Sequence, residues 1–122
     1  SAGLHRGTRV RAVRRGDVAI VSAAGDYGKP RPAVVVQSNL LTQAGLNSVI
    51  VCLLTSQVGA APPFRVEVEP AAGNGLKIPS QIMVEKVVTV RPSRIASVIG
   101  RLDDERLLQL DRAFAFVLGL GE

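Results

Sequence analysis

Two short runs of β-branched, almost wholly apolar residues constrain the fold most strongly. They occupy residues 32–37 and 48–54. Runs of this length and composition are typical of strands that are buried on both faces of a sheet. Pro32 fits only as the first residue of its strand, because proline cannot donate a hydrogen bond to a neighbouring strand. Cys52 lies inside the second run, so we predict a buried small hydrophobe rather than a nucleophile.

Further strand signals surround this pair. Arg65, Glu67 and Glu69 alternate with apolar residues, which is typical of a strand with one solvated face. Glycine, proline and asparagine mark the loops between these segments, most clearly at Gly73-Asn74-Gly75. Residues 17–22 are a further candidate strand, and residues 81–84 and 86–90 give one or two more.

The end of the chain changes to a helical period. Asp103 is placed to cap a helix, and Gly119 is placed to end it. The apolar positions between them lie on one helical face, at Leu107, Leu110, Phe114 and Val117. We therefore predict a mainly β fold with α: a small, curled antiparallel sheet or barrel, covered by a C-terminal amphipathic helix.

Charge and composition limit the classes of function that this chain can have. Fifteen Lys and Arg against ten Asp and Glu give a net charge of +5, which suits a polyanionic partner. The single histidine, His5, and the single cysteine make zinc sites, histidine nucleases and Cys–His hydrolases poor candidates. No apolar run approaches the ~18–20 residues of a membrane span, so a cytoplasmic protein is expected. Residues 1–13 are interpreted as a flexible arm or expression remnant, and residues 14–122 as one domain.

Four segments carry a family resemblance. They read RGDV at 15–18, GKPRPAVVVQ at 28–37, VIVCLLTS at 49–56 and GLKIPSQIMVEK at 75–86. In this order and spacing the chain resembles the MazF/PemK family of toxin endoribonucleases, over about residues 14–120.

The resemblance implies an SH3-like barrel homodimer that cleaves single-stranded RNA at short sequences without a metal or other cofactor. It also implies a cognate antitoxin, whose acidic, disordered tail would fold along the RNA site. A non-catalytic, CcdB-like gyrase-binding toxin on the same scaffold is the alternative function.

The resemblance assigns catalysis to Arg31 and Thr55. A guanidinium presents a planar fork of donors to phosphate, and a threonine hydroxyl can donate to a phosphoryl oxygen. Pro30 and Pro32 restrict the backbone on either side of Arg31. Both side chains would stabilise the charge that develops when the 2′-hydroxyl attacks the neighbouring phosphorus.

Eight further residues are predicted to contact RNA. The loop with Tyr27 corresponds to the one that folds over RNA in the family, and Tyr27 either stacks on an unpaired base or packs on the barrel. Lys86 stands where the family more often has an amide, and a lysine only donates hydrogen bonds. Ser80 has a second interpretation, as a turn residue. Lys29 and Asp26 are candidates to protonate the leaving 5′-oxygen. The predicted RNA-binding residues are Asp26, Tyr27, Gly28, Lys29, Gln57, Ser80, Glu85 and Lys86.

Overall fold

A computed structural model describes residues 13–22 and 29–121. This part of the chain forms one six-stranded antiparallel sheet and two helices. The strands are β1 (Asp17–Val21), β2 (Arg31–Val35), β3 (Val49–Thr55), β4 (Arg65–Val68), β5 (Ser80–Val90) and β6 (Ile95–Arg101). The helices are α1 (Asn39–Gln43) and α2 (Asp104–Val117), and a 3₁₀ turn spans Pro92–Arg94.

The predicted fold class, mainly β with a C-terminal helix, is confirmed. The strand order is β4-β5-β3-β2-β1-β6, so the two apolar runs form the centre of the sheet. The sheet stays open, with β4 and β6 as its edges. Pro32 is the second residue of β2 rather than the first; it pairs with Ile20 of β1, and the ladder with β3 begins only at Ala33.

Towards the end of the chain the structure has one long strand, which is one of the two expected arrangements, and one strand that was not expected. The segments at 81–84 and 86–90 are one continuous strand, β5. Its register against β3 shifts between Cys52 and Leu54, so residues 83–86 of β5 lie opposite Leu53 alone. Such an irregularity bends a strand without ending it. The sixth strand is β6, which the sequence analysis did not identify.

Each face of the sheet carries its own apolar cluster. Helix α2 lies against β4 and β5 and buries Leu110 and Ala113 in the first cluster, with Cys52 and Ile82. The opposite face carries a second cluster, made mostly of valines from β1, β2 and β3. The central strands are thus buried on both sides, as their continuous apolar sequences predict.

The ends of α2 follow the sequence signals. The Asp103 carboxylate accepts a hydrogen bond from the backbone N–H of Arg106, at 2.7 Å, and so caps the helix. Gly119 has a positive φ of 69° immediately after the helix. Within the described residues, neither helix is long and apolar enough to cross a membrane.

The start of β1 is linked by hydrogen bonds to the edge strand β6. Asp17 is buried, and its carboxylate accepts hydrogen bonds from the backbone N–H of Arg14 and from Arg101 of β6. Val13 is buried in the second cluster. The predicted arm therefore lies outside the described residues except for Val13, and the division at residue 13 stays a prediction.

Candidate active site

Arg31 and Thr55 occupy facing ends of neighbouring strands. Arg31 is the first residue of β2, and Thr55 is the last residue of β3. The two strands are antiparallel, with Ala33 paired to Leu53. The paired ladder ends there, and the same register continued by two residues on each strand would place Arg31 opposite Thr55. Both line one open groove of about 1110 Å³.

The groove has a strongly basic lining. Among the described residues, its wall contains no aspartate or glutamate. Apolar surface from Ile20, Leu54 and Ile78 lies between the charged groups. A groove of this charge suits an extended polyanion whose bases can rest on apolar patches. The basic lining residues are Lys29, Arg31, Arg65, Lys77 and Lys86.

The Thr55 hydroxyl is oriented by the chain that follows it. Its Oγ1 accepts a hydrogen bond from the backbone N–H of Gln57, at 3.1 Å. A hydroxyl carries one donor hydrogen and two acceptor lone pairs. With one lone pair engaged, the O–H remains able to donate into the groove.

One wall of the groove is a tightly anchored loop, residues 70–79. The buried Asn74 holds it: its side-chain oxygen accepts from the N–H groups of Ala71 and Leu76, and its Nδ2 donates to the Glu69 carbonyl. Gly100 of β6 lies against this loop so closely that an added Cβ would stand 2.4 Å from the Asn74 carbonyl carbon. Lys77 and Ile78 are therefore presented by a wall that is already formed.

Glu85 is engaged by an arginine from the neighbouring strand. Arg65 Nη2 lies 2.6 Å from Glu85 Oε2, and Arg65 Nε also donates to both carboxylate oxygens. The side chain of Arg65 is 22% exposed and that of Glu85 is 25% exposed. Partial burial raises the pKa of Glu85, but hydrogen bonding and the charge of Arg65 outweigh it and leave that pKa below its usual value. The hydrogen bond to Glu85 raises the pKa of Arg65. Both groups are therefore charged at neutral pH.

The structure brings four of the eight predicted RNA-contacting residues to the groove. Lys29, Gln57 and Lys86 are exposed in it. Ser80 also lines the groove but is buried; it is the first residue of β5 rather than a turn residue, and its hydroxyl donates to the Ile78 carbonyl at 3.1 Å. Glu85 is not among the lining residues, because its carboxylate faces Arg65. Asp26, Tyr27 and Gly28 lie outside the described residues.

Sequence reasoning missed two lining residues, Arg65 and Lys77. The alternation of β4 places Arg65 on a polar face, but it does not say that this face borders a groove. Lys77 lies within the fourth family segment, and its basic character was the only available signal.

Cys52 takes no part in the groove. It is a free, fully buried thiol, as predicted. Burial, together with the negative charge of Glu85, raises the pKa of Cys52 to about 12. Within the described part of the chain, no group of three or more His, Cys, Asp or Glu side chains is placed to hold a metal ion.

Comparisons with known proteins agree with this architecture. A family model described as PemK-like, MazF-like toxin of type II toxin–antitoxin systems matches residues 14–118. A probable endoribonuclease MazF from Mycolicibacterium smegmatis is 36% identical over 109 residues, covering 88% of this chain and 98% of that protein.

Solved structures share the fold at lower identity. The Mycobacterium tuberculosis toxin MazF-mt6 superposes with a TM-score of 0.73 at 23% identity, covering 87% of this chain and 99% of that one. An endoribonuclease in complex with its cognate antitoxin, from a mycobacterial species, gives a TM-score of 0.76 at 19% identity and covers 91% and 99% of the two chains. The alternative of a CcdB-like gyrase-binding toxin is not favoured by these matches. The chain belongs to the PemK-like, MazF-like family of toxins of type II toxin–antitoxin systems.

Proposed function

We propose that this protein is the endoribonuclease toxin of a toxin–antitoxin pair. It cleaves single-stranded RNA at a phosphate that lies between the side chains of Arg31 and Thr55. The observation that carries the proposal is the placement of these two side chains at facing strand ends, in a groove whose described lining is basic and free of carboxylates. The 36% identity to a probable endoribonuclease MazF supports the same activity.

The reaction starts at the ribose of the nucleotide before the scissile bond. Its 2′-hydroxyl gives its proton to solvent water, the 2′-oxygen bonds to the neighbouring phosphorus, and the bond from phosphorus to the 5′-oxygen then breaks. The products are a 2′,3′-cyclic phosphate and a 5′-hydroxyl. The Arg31 guanidinium binds the phosphoryl oxygens on which negative charge develops, and it remains protonated throughout.

Two further groups complete this scheme. The Thr55 hydroxyl, with one lone pair held by the Gln57 N–H, donates to a phosphoryl oxygen. The leaving 5′-oxygen must gain a proton, and Lys29 is the candidate donor among the described residues. It is exposed, precedes Arg31 by two positions and lines the same groove.

The basic groove also supports a proposal about the partners of the protein. We place the protein in the cytoplasm as a homodimer, regulated by an antitoxin whose acidic, disordered tail competes with RNA for the basic lining. Such a segment folds as it binds, so charge complementarity and not a rigid shape drives the recognition. One of the solved relatives is itself in complex with its cognate antitoxin.

The test is cleavage of a long single-stranded RNA by the purified protein in excess EDTA. Discrete fragments with 5′-hydroxyl and 2′,3′-cyclic phosphate ends are expected, and sequencing of the 5′ ends gives the cleavage motif. R31A and T55A should each lower the cleavage rate by about 10²–10³-fold, because each removes a donor to the developing charge. T55S should retain most of the rate, since it keeps the hydroxyl.

The matched control is R91A. Arg91 is exposed and follows Val90, which pairs with Val49 at the end of β3 away from Thr55. This variant should cleave at the wild-type rate. Intact RNA with the wild-type protein, or full activity in folded R31A, would contradict the proposal; intact RNA together with stalled gyrase complexes would favour the CcdB-like alternative.

A further inference from the structure

The Arg65–Glu85 pair leaves one edge of a fixed guanidinium available. The three hydrogen bonds to Glu85 use Nε and Nη2, and none of them uses Nη1. A guanidinium has five N–H donors. The binding of Glu85 along the Nε–Nη2 edge uses one hydrogen on Nε and one on Nη2. The end edge keeps one hydrogen on Nη2 and two on Nη1. That edge is a second fork, of the kind that binds phosphate through two parallel hydrogen bonds.

The carboxylate also fixes the direction of this fork. Arg65 and Glu85 lie on adjacent strands, β4 and β5, and Glu85 belongs to the irregular stretch 83–86 that lies opposite Leu53. Irregularities of this kind commonly re-aim side chains next to active sites. An arginine held on one edge loses little further freedom when its other edge binds a ligand.

The position of Arg65 separates its role from that of Arg31. Both line the groove, but β2 and β4 lie three strand positions apart in the sheet. That separation is about 14 Å along the sheet at the usual strand spacing. This strand separation favours a contact of Arg65 with a nucleotide other than the one being cleaved.

Arg65 also borders a second, smaller depression. This depression is lined by Arg106 and Arg112 of helix α2 and by Glu67 of β4. Arg65 is the residue that both depressions share.

We propose that Arg65 binds a backbone phosphate of a nucleotide adjacent to the scissile linkage and that Glu85 is a positioning residue, which holds the guanidinium in place. This inference rests on the proposed endoribonuclease function. It replaces direct base reading by Glu85 with an indirect contribution, through Arg65, to the affinity for RNA of any sequence.

The experiment uses the cleavage motif mapped with the wild-type protein. R65Q, E85Q, R65K and R91Q are compared with wild type in steady-state cleavage of an RNA with that motif. Binding is measured over a range of salt concentrations, with the same RNA carrying a 2′-deoxyribose at the cleavage site so that it cannot react. Thermal melting and circular dichroism verify that each variant is folded.

The expected result for R65Q is a KM raised roughly ten- to a hundred-fold with kcat unchanged, because a charge-assisted contact outside the reacting centre is lost. The slope of log Kd against log salt should become shallower by about 0.7, which corresponds to one phosphate contact on a single strand. E85Q should raise KM only a few-fold. R91Q, with the same charge change at the other end of the sheet, should match wild type.

Three outcomes would overturn the proposal. They are an unchanged KM in folded R65Q, a fall in kcat without a rise in KM, and a changed cleavage motif, which would make Arg65 a base reader. Should R65Q fail to fold, R65K decides: it keeps the charge but not the fork, so a wild-type KM would contradict the inference. Absence of cleavage by wild type would reject the proposed function itself, which these variants do not test.

Discussion

At the scale of single residues, two side chains of the groove are each held by hydrogen bonds at some of their polar atoms, while other hydrogens are not used in those bonds. Thr55 accepts from Gln57 and so retains its own hydrogen for donation. Arg65 binds Glu85 through Nε and Nη2, and none of these hydrogen bonds uses Nη1. In both cases the side chain is oriented before RNA arrives, so less conformational entropy is lost on binding.

Cys52 provides a prediction at this scale. Its pKa of about 12 in the folded protein lies above its ordinary value of 9.0, because burial disfavours the thiolate. In the unfolded chain the thiol ionises near its ordinary value. The contribution to stability is therefore complete below pH about 9 and is lost as the pH rises towards 12, by at most about 1.4 kcal/mol per pH unit.

The measurement compares unfolding of wild type and C52A in denaturant between pH 7 and 11. The free energy of unfolding of wild type should fall more steeply with pH than that of C52A. A thiol reagent at pH 8 should label Cys52 only after unfolding. Rapid labelling of the native protein would show that the thiol is accessible and that this account of its pKa is wrong.

At the scale of elements, local pattern identified the strong elements but not the irregular ones. The apolar runs became β2 and β3, and the capped amphipathic stretch became α2. The sequence left open whether residues 81–84 and 86–90 form one strand or two, and the sheet joins them in one strand with a shift in register. Strand β6 is mostly exposed and is paired to β1 with two register irregularities, so its sequence lacks the alternation that marks a half-buried strand.

The loop formed by residues 70–79 yields a prediction at the element scale. G100A should lower the free energy of unfolding by about 1–3 kcal/mol, because the new methyl group would meet the Asn74 backbone and the loop would have to move. Cleavage should fall with it, since this loop presents Lys77 and Ile78 to the groove.

The control for this variant is G59A. A Cβ at Gly59 would meet no atom within 4 Å. Denaturant unfolding and RNA cleavage should both be close to wild type in G59A. Wild-type stability in G100A would mean that the loop is not anchored as described.

At the scale of the whole molecule, the main feature is the set of basic side chains that line the groove. Two of the described acidic groups in the sheet are held in ion pairs, Asp17 with Arg101 and Glu85 with Arg65, whereas Glu67 of β4 is exposed. The groove lining keeps five basic side chains. The described lining therefore carries positive charge where a polyanion would bind.

The prediction at this scale is a strong dependence of RNA affinity on salt. If three to five of the basic lining residues contact phosphates, the slope of log Kd against log salt should be about 2–3.5 for single-stranded RNA. Fluorescence anisotropy with the 2′-deoxy-substituted RNA gives this slope directly. An affinity independent of salt would contradict phosphate binding in the groove, whereas R91Q should keep the wild-type slope.

The fold class, the central strands and the terminal helix were predictable from the amino-acid sequence, and the family segments nominated Arg31 and Thr55 for catalysis. Hydrophobic period and helix caps are local properties, and the family segments are contiguous in the chain. The open sheet, the edge strand β6 and the contact of Arg65 with Glu85 at the groove became visible only in the three-dimensional structure. These features depend on which strands become neighbours and in what register, and contacts between residues distant in the chain leave no local pattern to read.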